Sequence, residues 1–84
     1  MVSCDDYDYL EIASLYQLEV TLHTQGDAQY TGRIVNLYVS KDKKEWLTLR
    51  LSNPSGKTEL ALETKQLTAM VAISDNPHFS RIDF

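Results

Sequence analysis

The hydrophobic pattern of this chain changes its period once, and that change constrains the fold more than any other feature. From Leu18 onward, apolar residues alternate with polar ones, as in a strand that buries one face. Before that point, four residues fall on one stripe of a helical wheel: Tyr9, Ile12, Ala13 and Tyr16. The sequence therefore predicts a single N-terminal helix over about residues 5–16, followed by strands.

Turn residues divide the rest of the chain into five predicted strands within about residues 17–74. The second strand runs from about Gln29 to Val39 and has Gly32 inside it, which marks a bend or a bulge. The tail, residues 75–84, shows no period and is predicted to be irregular. We therefore expect a mainly β fold with one N-terminal helix: a small five-stranded open barrel of the SH3-like or Sm-like kind.

Length and composition indicate one domain that spans residues 1–84. The single cysteine, Cys4, excludes an intramolecular disulfide and fits a reducing compartment. We find no signal-peptide pattern in residues 1–9, and no run of the roughly 20 apolar residues that a membrane span needs. The expected location is the cytoplasm.

Acidic residues are concentrated near the N-terminus. Through Glu19 the chain has five carboxylates and no lysine or arginine, and its net charge is −4. The helical wheel places four residues opposite the apolar stripe: Tyr7, Asp8, Glu11 and Ser14. Carboxylates stabilise a helix N-terminus, but capping occupies one or two of them and explains neither Glu11 nor an exposed Tyr7. The acidic patch suits a basic protein surface better than a phosphate backbone.

Motifs with catalytic or ligand-binding meaning are incomplete. Gly56-Lys57-Thr58 resembles the end of a phosphate-binding loop, but Leu51 stands where that motif needs a glycine. Asp6-x-Asp8 begins like a calcium loop and lacks its glycine. The remaining candidate metal ligands have no ligand spacing: Cys4, His23 and His78. We therefore expect neither a cofactor nor a metal, and no enzymatic activity.

Basic residues cluster at the predicted turn Lys41-Asp42-Lys43-Lys44. This cluster is either a solvated hairpin tip or a contact with an acidic or polar rim on a partner. Direct nucleic-acid binding is disfavoured, because RNA readers combine a basic face with stacking aromatic residues.

The residues Cys4-Asp5-Asp6-Tyr7-Asp8-x-Leu10-Glu11-x-Ala13 closely resemble the N-terminal motif of the Rho-binding antiterminators of gamma-proteobacteria, the Rof or YaeO family. The resemblance implies an Sm-like domain that binds the hexameric transcription termination factor Rho at the primary RNA-binding site of its N-terminal domain. It also implies contacts by Tyr7, Asp8 and Glu11 of the helix and by Lys41 and Lys43 of the tip. Asp5 and Asp6 belong to the same predicted contact surface.

Two functions follow as hypotheses. The first is a protein inhibitor of Rho that blocks RNA loading and so causes antitermination. The alternative is an Sm-type RNA-binding protein that acts as a ring. Two observations disfavour the alternative. Residues 67–74 lack the Arg-Gly pair common in Sm proteins, and the net charge is negative, whereas RNA binding favours a positive charge.

Overall fold

One helix precedes six strands in the described part of the chain, which comprises residues 4–53, 56 and 58–84 of a computed structural model. The elements are α1 Cys4–Leu15, β1 Glu19–Thr24, β2 Gln29–Val39, β3 Glu45–Leu51, β4 Glu59–Glu63, β5 Leu67–Ala72 and β6 Arg81–Asp83, with a short 3₁₀ helix at Thr64–Gln66. Three residues of the predicted turn and of the rejected phosphate-loop motif lie outside the described residues: Pro54, Ser55 and Lys57.

The strands form one antiparallel open sheet in the order β4-β3-β2-β1-β5-β6. Strands that are adjacent in sequence pair as hairpins, and β1 also pairs with β5, where Val20 lies opposite Ala72. The expectation of a mainly β fold with one N-terminal helix is therefore confirmed, whereas the predicted number of five strands is wrong.

The additional strand, β6, lies in the tail that was predicted to be irregular. Ile82 of β6 pairs with Met70 of β5, and its side chain packs against the core together with Phe79 and Phe84. A strand of three residues is too short to show an alternating pattern, which is why the sequence does not reveal it.

The hydrophobic core lies between one face of the sheet and α1. The fully buried strand residues include Leu22, Ile34, Leu47, Leu49 and Met70, and α1 adds Leu10 and Ala13. The alternation that predicted β1 is confirmed, since Val20 and Leu22 are buried and their polar neighbours are not.

Gly32 lies where β2 and β3 approach closely, and the irregularity predicted in this strand is a bulge a few residues further along. A Cβ atom on Gly32 would lie 2.0 Å from the carbonyl oxygen of Arg50 on β3. The register between β2 and β3 then shifts between Ile34 and Asn36, so that Val35 is an additional residue on the β2 side.

Candidate functional site

The helix that carries the acidic residues begins with Asp5 and Asp6 in its first turn, where carboxylates favour a helix N-terminus. It ends in a Schellman-type motif, because Leu18 N–H donates to Ala13 O (3.0 Å) and Gln17 N–H donates to Ser14 O (3.2 Å). Gln17 takes the left-handed conformation (φ 51°) that glycine usually fills. Its side-chain amide donates to Ile34 O at 3.0 Å, so the end of the helix is fastened to β2.

The buried face of α1 is centred on Leu10 and Ala13, both 0% exposed. Tyr9 and Ile12 of the predicted stripe pack against the core as expected, but Tyr16 is 56% exposed and its place in the stripe is a wrong prediction. Tyr7 was expected to face outward, and this is also wrong: its ring is half-buried and contacts the core. Residues two positions apart differ by about 200° around a helix. The rings of Tyr7 and Tyr9 therefore lie on opposite flanks of the buried face of α1.

Three predicted contact residues point away from the core, since Asp5, Asp8 and Glu11 are exposed. None of the three carboxylates forms an ion pair with another described residue. Asp6 is half-buried, so it contributes less to the exposed surface. Leu15, four residues after Glu11, is 74% exposed on the same side of the helix. The exposed face of α1 is therefore a negative surface with an apolar residue at its C-terminal end.

The Tyr7 hydroxyl lies close to negative charge from two different elements. Partial burial raises the pKa of Tyr7, and the charges of Glu45 and Glu11 raise it further. Glu45, the first residue of β3, thus extends the acidic surface from α1 onto the hairpin. The sequence reasoning did not find Glu45, because it lies far from Tyr7 in the sequence and comes close to it only in the folded protein.

The hairpin tip between β2 and β3 separates its three lysines. Asp42 accepts a hydrogen bond from the Ser40 hydroxyl, and its carboxylate lies 3.7 Å from the Lys44 ammonium. The Ser40 hydrogen bond, with the Lys44 charge as a smaller cause, lowers the pKa of Asp42. Lys41 and Lys43 are exposed, and neither has an ion-pair partner among the residues that the structure describes. The two predicted contact lysines therefore lie exposed on the hairpin tip that precedes Glu45.

The opposite flank of α1 faces the loop between β5 and β6. The Tyr9 ring meets Phe79 edge-on, with centroids 5.8 Å apart, and the Tyr16 ring stacks on His78 at 5.0 Å. A depression of about 630 Å³ lies beside these rings, and it is lined by Asp5, Asp8, Tyr9, Ile12, Pro77 and His78. The acidic helix is therefore bordered by the hairpin on one side and by the tail on the other.

The chemistry of this surface is that of charge and hydrogen bonding. Among the described residues, no group of histidine, cysteine, aspartate and glutamate side chains is arranged to hold a metal ion. The His78 ring stacks on Tyr16, and His23 lies half-buried in β1. At 12 residues, α1 is too short to cross a bilayer, and the described chain contains no longer helix.

Comparisons with known proteins agree with the motif in α1. A family model described as "Modulator of Rho-dependent transcription termination (ROF)" matches residues 1–84. A solved structure described as "YaeO bound to Magnesium", from Vibrio cholerae O395, is similar to this chain at 37% sequence identity and a TM-score of 0.80. The alignment covers 93% of this chain and 96% of that one. No curated protein matches the chain.

Proposed function

Since this chain belongs to the ROF family of modulators of Rho-dependent transcription termination, we propose that it inhibits Rho by covering an RNA-binding surface with the exposed face of α1. The observation that carries the proposal is the set of exposed carboxylates of Asp5, Asp8 and Glu11, which have no cation to pair with in the described chain. The site on Rho that fits this charge is the primary RNA-binding site of the N-terminal domain, in one or more subunits of the hexamer.

Electrostatic attraction provides the first part of the mechanism. A surface that holds RNA phosphates presents lysine and arginine, and those side chains form charge-assisted hydrogen bonds with carboxylates as readily as with phosphates. The carboxylates of α1 therefore compete for the same cations. Complementary charge also raises the association rate and makes it sensitive to salt.

The flank formed by Tyr7 and the hairpin provides the second part. Partial burial and the charges of Glu45 and Glu11 raise the pKa of Tyr7, and its protonated hydroxyl can donate a hydrogen bond to the partner. Lys41 and Lys43 are free to reach acidic or polar groups at the rim of the same site on Rho. In this mechanism the protein acts by occlusion and catalyses no reaction.

The fold supports an Sm-like assignment as part of the same proposal. An N-terminal helix precedes the sheet, and the long second strand contains Gly32 and a bulge, features that support an Sm-like barrel. β6 is an addition to that arrangement. The RNA-binding ring is the weaker hypothesis, since the most exposed charged surface on α1 is negative.

Displacement of labelled RNA from Rho, measured with the Glu11→Lys variant, tests the proposal. We expect the variant to require a concentration at least about thirtyfold higher, since reversing an interfacial charge commonly costs about 2–5 kcal/mol. Glu59→Lys is the matched control, because Glu59 is exposed on β4 and pairs with Arg50 at 3.3 Å. Equal displacement by both variants and the parent would show that α1 is not the contact surface.

A further inference from the structure

The side chain of Asn76 organises the loop between β5 and β6. Its Oδ1 atom accepts hydrogen bonds from the backbone N–H groups of His78 (2.9 Å) and Phe79 (3.1 Å). Its Nδ2 group donates to Ser74 O at 2.9 Å. These bonds form an Asx-turn, in which a side chain replaces a backbone acceptor and sets the direction of the chain.

The two residues whose N–H groups Asn76 holds are the residues that contact α1. Phe79 meets Tyr9 edge-on at an interplanar angle of 76°, and His78 stacks on Tyr16 at 16°. Tyr9 and Tyr16 are separated by about 10 Å along the helix axis, at a rise of about 1.5 Å per residue. The loop therefore contacts the helix at Tyr9 and, directly after its last residue, at Tyr16. Two separated contacts determine the direction of α1 as well as its distance from the sheet.

The loop is itself anchored to the sheet. Ile73 N–H and Ser74 N–H both donate to Glu19 O, at 2.8 and 3.0 Å, and Glu19 N–H donates to the Ser74 hydroxyl at 2.8 Å. At the other end, Ala72 N–H donates to Ser80 O at 2.9 Å. Because both ends of the loop are hydrogen-bonded to β1 and β5, the loop holds its aromatic rings in fixed positions against α1.

The buried residues of α1 do not provide the same directional control. Leu10 and Ala13 contribute apolar burial, which is non-directional and tolerates small rotations of the helix. A rotation would move Asp8 and Glu11 relative to the hairpin and its lysines. The rings of His78 and Phe79 lie on one flank of α1 and oppose such a rotation.

We propose that Asn76 is a positioning residue for Rho binding, which acts by holding His78 and Phe79 against Tyr9 and Tyr16 so that the carboxylates of α1 keep their orientation. This inference rests on the proposed function. The role of Asn76 is indirect. In the described structure its side chain forms hydrogen bonds only within its own loop and none with Asp5, Asp8 or Glu11.

Asn76→Ala and Asn76→Asp test the proposal when their affinities for Rho are measured by calorimetry. The alanine variant should bind about tenfold more weakly, which corresponds to about 1.4 kcal/mol. The aspartate variant keeps the oxygen that accepts from His78 and Phe79 but loses the donor to Ser74 O, so its affinity should lie between those of the parent and the alanine variant. Asn36→Ala and Asn36→Asp are the matched controls, because Asn36 is an exposed asparagine of β2 whose side chain forms no hydrogen bond with another described residue.

A double-mutant cycle with Glu11→Gln separates positioning from a general loss of stability. If Asn76 acts through the orientation of α1, its effect on affinity should shrink once the Glu11 contact is removed. Strictly additive effects, or an Asn76→Ala variant that binds like the parent, would overturn the proposal. If the alanine variant does not fold, Asn76→Ser, which has a weaker acceptor, takes its place in the same cycle.

Hydrogen exchange of α1 in the free protein distinguishes failure of this inference from failure of the proposed function. Parent protein that does not bind Rho would refute the proposed function. In that case, faster exchange in α1 for Asn76→Ala, but not for Asn36→Ala, would still establish the positioning of the helix, and unchanged exchange would refute it.

Discussion

Replacing Gly32 by alanine should destabilise the protein because the backbones of β2 and β3 are too close for a methyl group. The added Cβ would lie 2.0 Å from Arg50 O, whereas ordinary van der Waals contacts begin at 3.4 Å. The strands must separate by more than about 1 Å at this position. Gly32 also pairs with Val20 on its other side, so β2 cannot shift without disturbing β1.

The expected loss in the free energy of unfolding is about 3 kcal/mol. Weakening two ladder hydrogen bonds costs about 1–3 kcal/mol, and overpacking adds about 1–3 kcal/mol of strain. The lower entropy of alanine in the unfolded chain offsets about 0.4–1 kcal/mol of this. For a domain of this size, each kcal/mol shifts the Tm by roughly 4–8 °C, so the Tm should fall by roughly 12–24 °C.

Thermal and urea unfolding of Gly32→Ala, beside Gly26→Ala, provides the test. Gly26 has φ +84° and nothing within 4 Å of the added Cβ, so its alanine variant should lose only about 1 kcal/mol from the left-handed conformation. A Gly32→Ala variant that melts with the parent, or above it, would show that β2 and β3 do not approach as closely as described.

Three further outcomes are expected. Lys41→Glu should weaken Rho binding about twofold to fivefold and reduce the salt dependence of that binding. Lys44→Glu should have less effect, because Lys44 already pairs with Asp42. Calorimetry over a salt series measures both variants. Because the folded-state pKa of Tyr7 lies above the unfolded value of 10.0, stability should fall as pH rises past that value, and Tyr7→Phe should lose less stability than the parent in alkaline denaturation. Leu10→Ala should lower the free energy of unfolding by about 2–5 kcal/mol in urea titrations, since Leu10 is fully buried.

Local patterns were sufficient to predict most of the elements. Alternation at Val20 and Leu22 identified β1, and a glycine within a long strand marked the part of β2 that approaches β3 closely and then bulges. The acidic residues of α1 were correctly assigned to a helix, with Asp8 and Glu11 on its exposed face. In each case the determining interactions lie within one element or between adjacent strands.

The orientation of the tyrosines could not be predicted from a helical wheel, because it depends on neighbours that are distant in sequence. Tyr7 is half-buried because it packs against the core, and the charge of Glu45 on β3 acts on its hydroxyl. Tyr16 is exposed and contacts His78, more than sixty positions away in the chain. A helical wheel describes one helix alone. In this protein the two segments that flank α1, the β2–β3 hairpin and the β5–β6 loop, determine which tyrosine rings are covered.

The strand order has a consequence for how the protein folds. Among the described residues, the hairpins of β1 to β4 connect neighbouring strands, whereas β1 and β5 join positions about fifty residues apart. Long-range pairing closes a large loop and is slow, so we expect the β1–β5 contact to form late. The bonds between Glu19 and Ser74, and with them the loop that carries His78 and Phe79, depend on that contact. During synthesis the acidic helix emerges before the strands, and on the proposed positioning role it reaches its final orientation only after β5 and β6 have been translated.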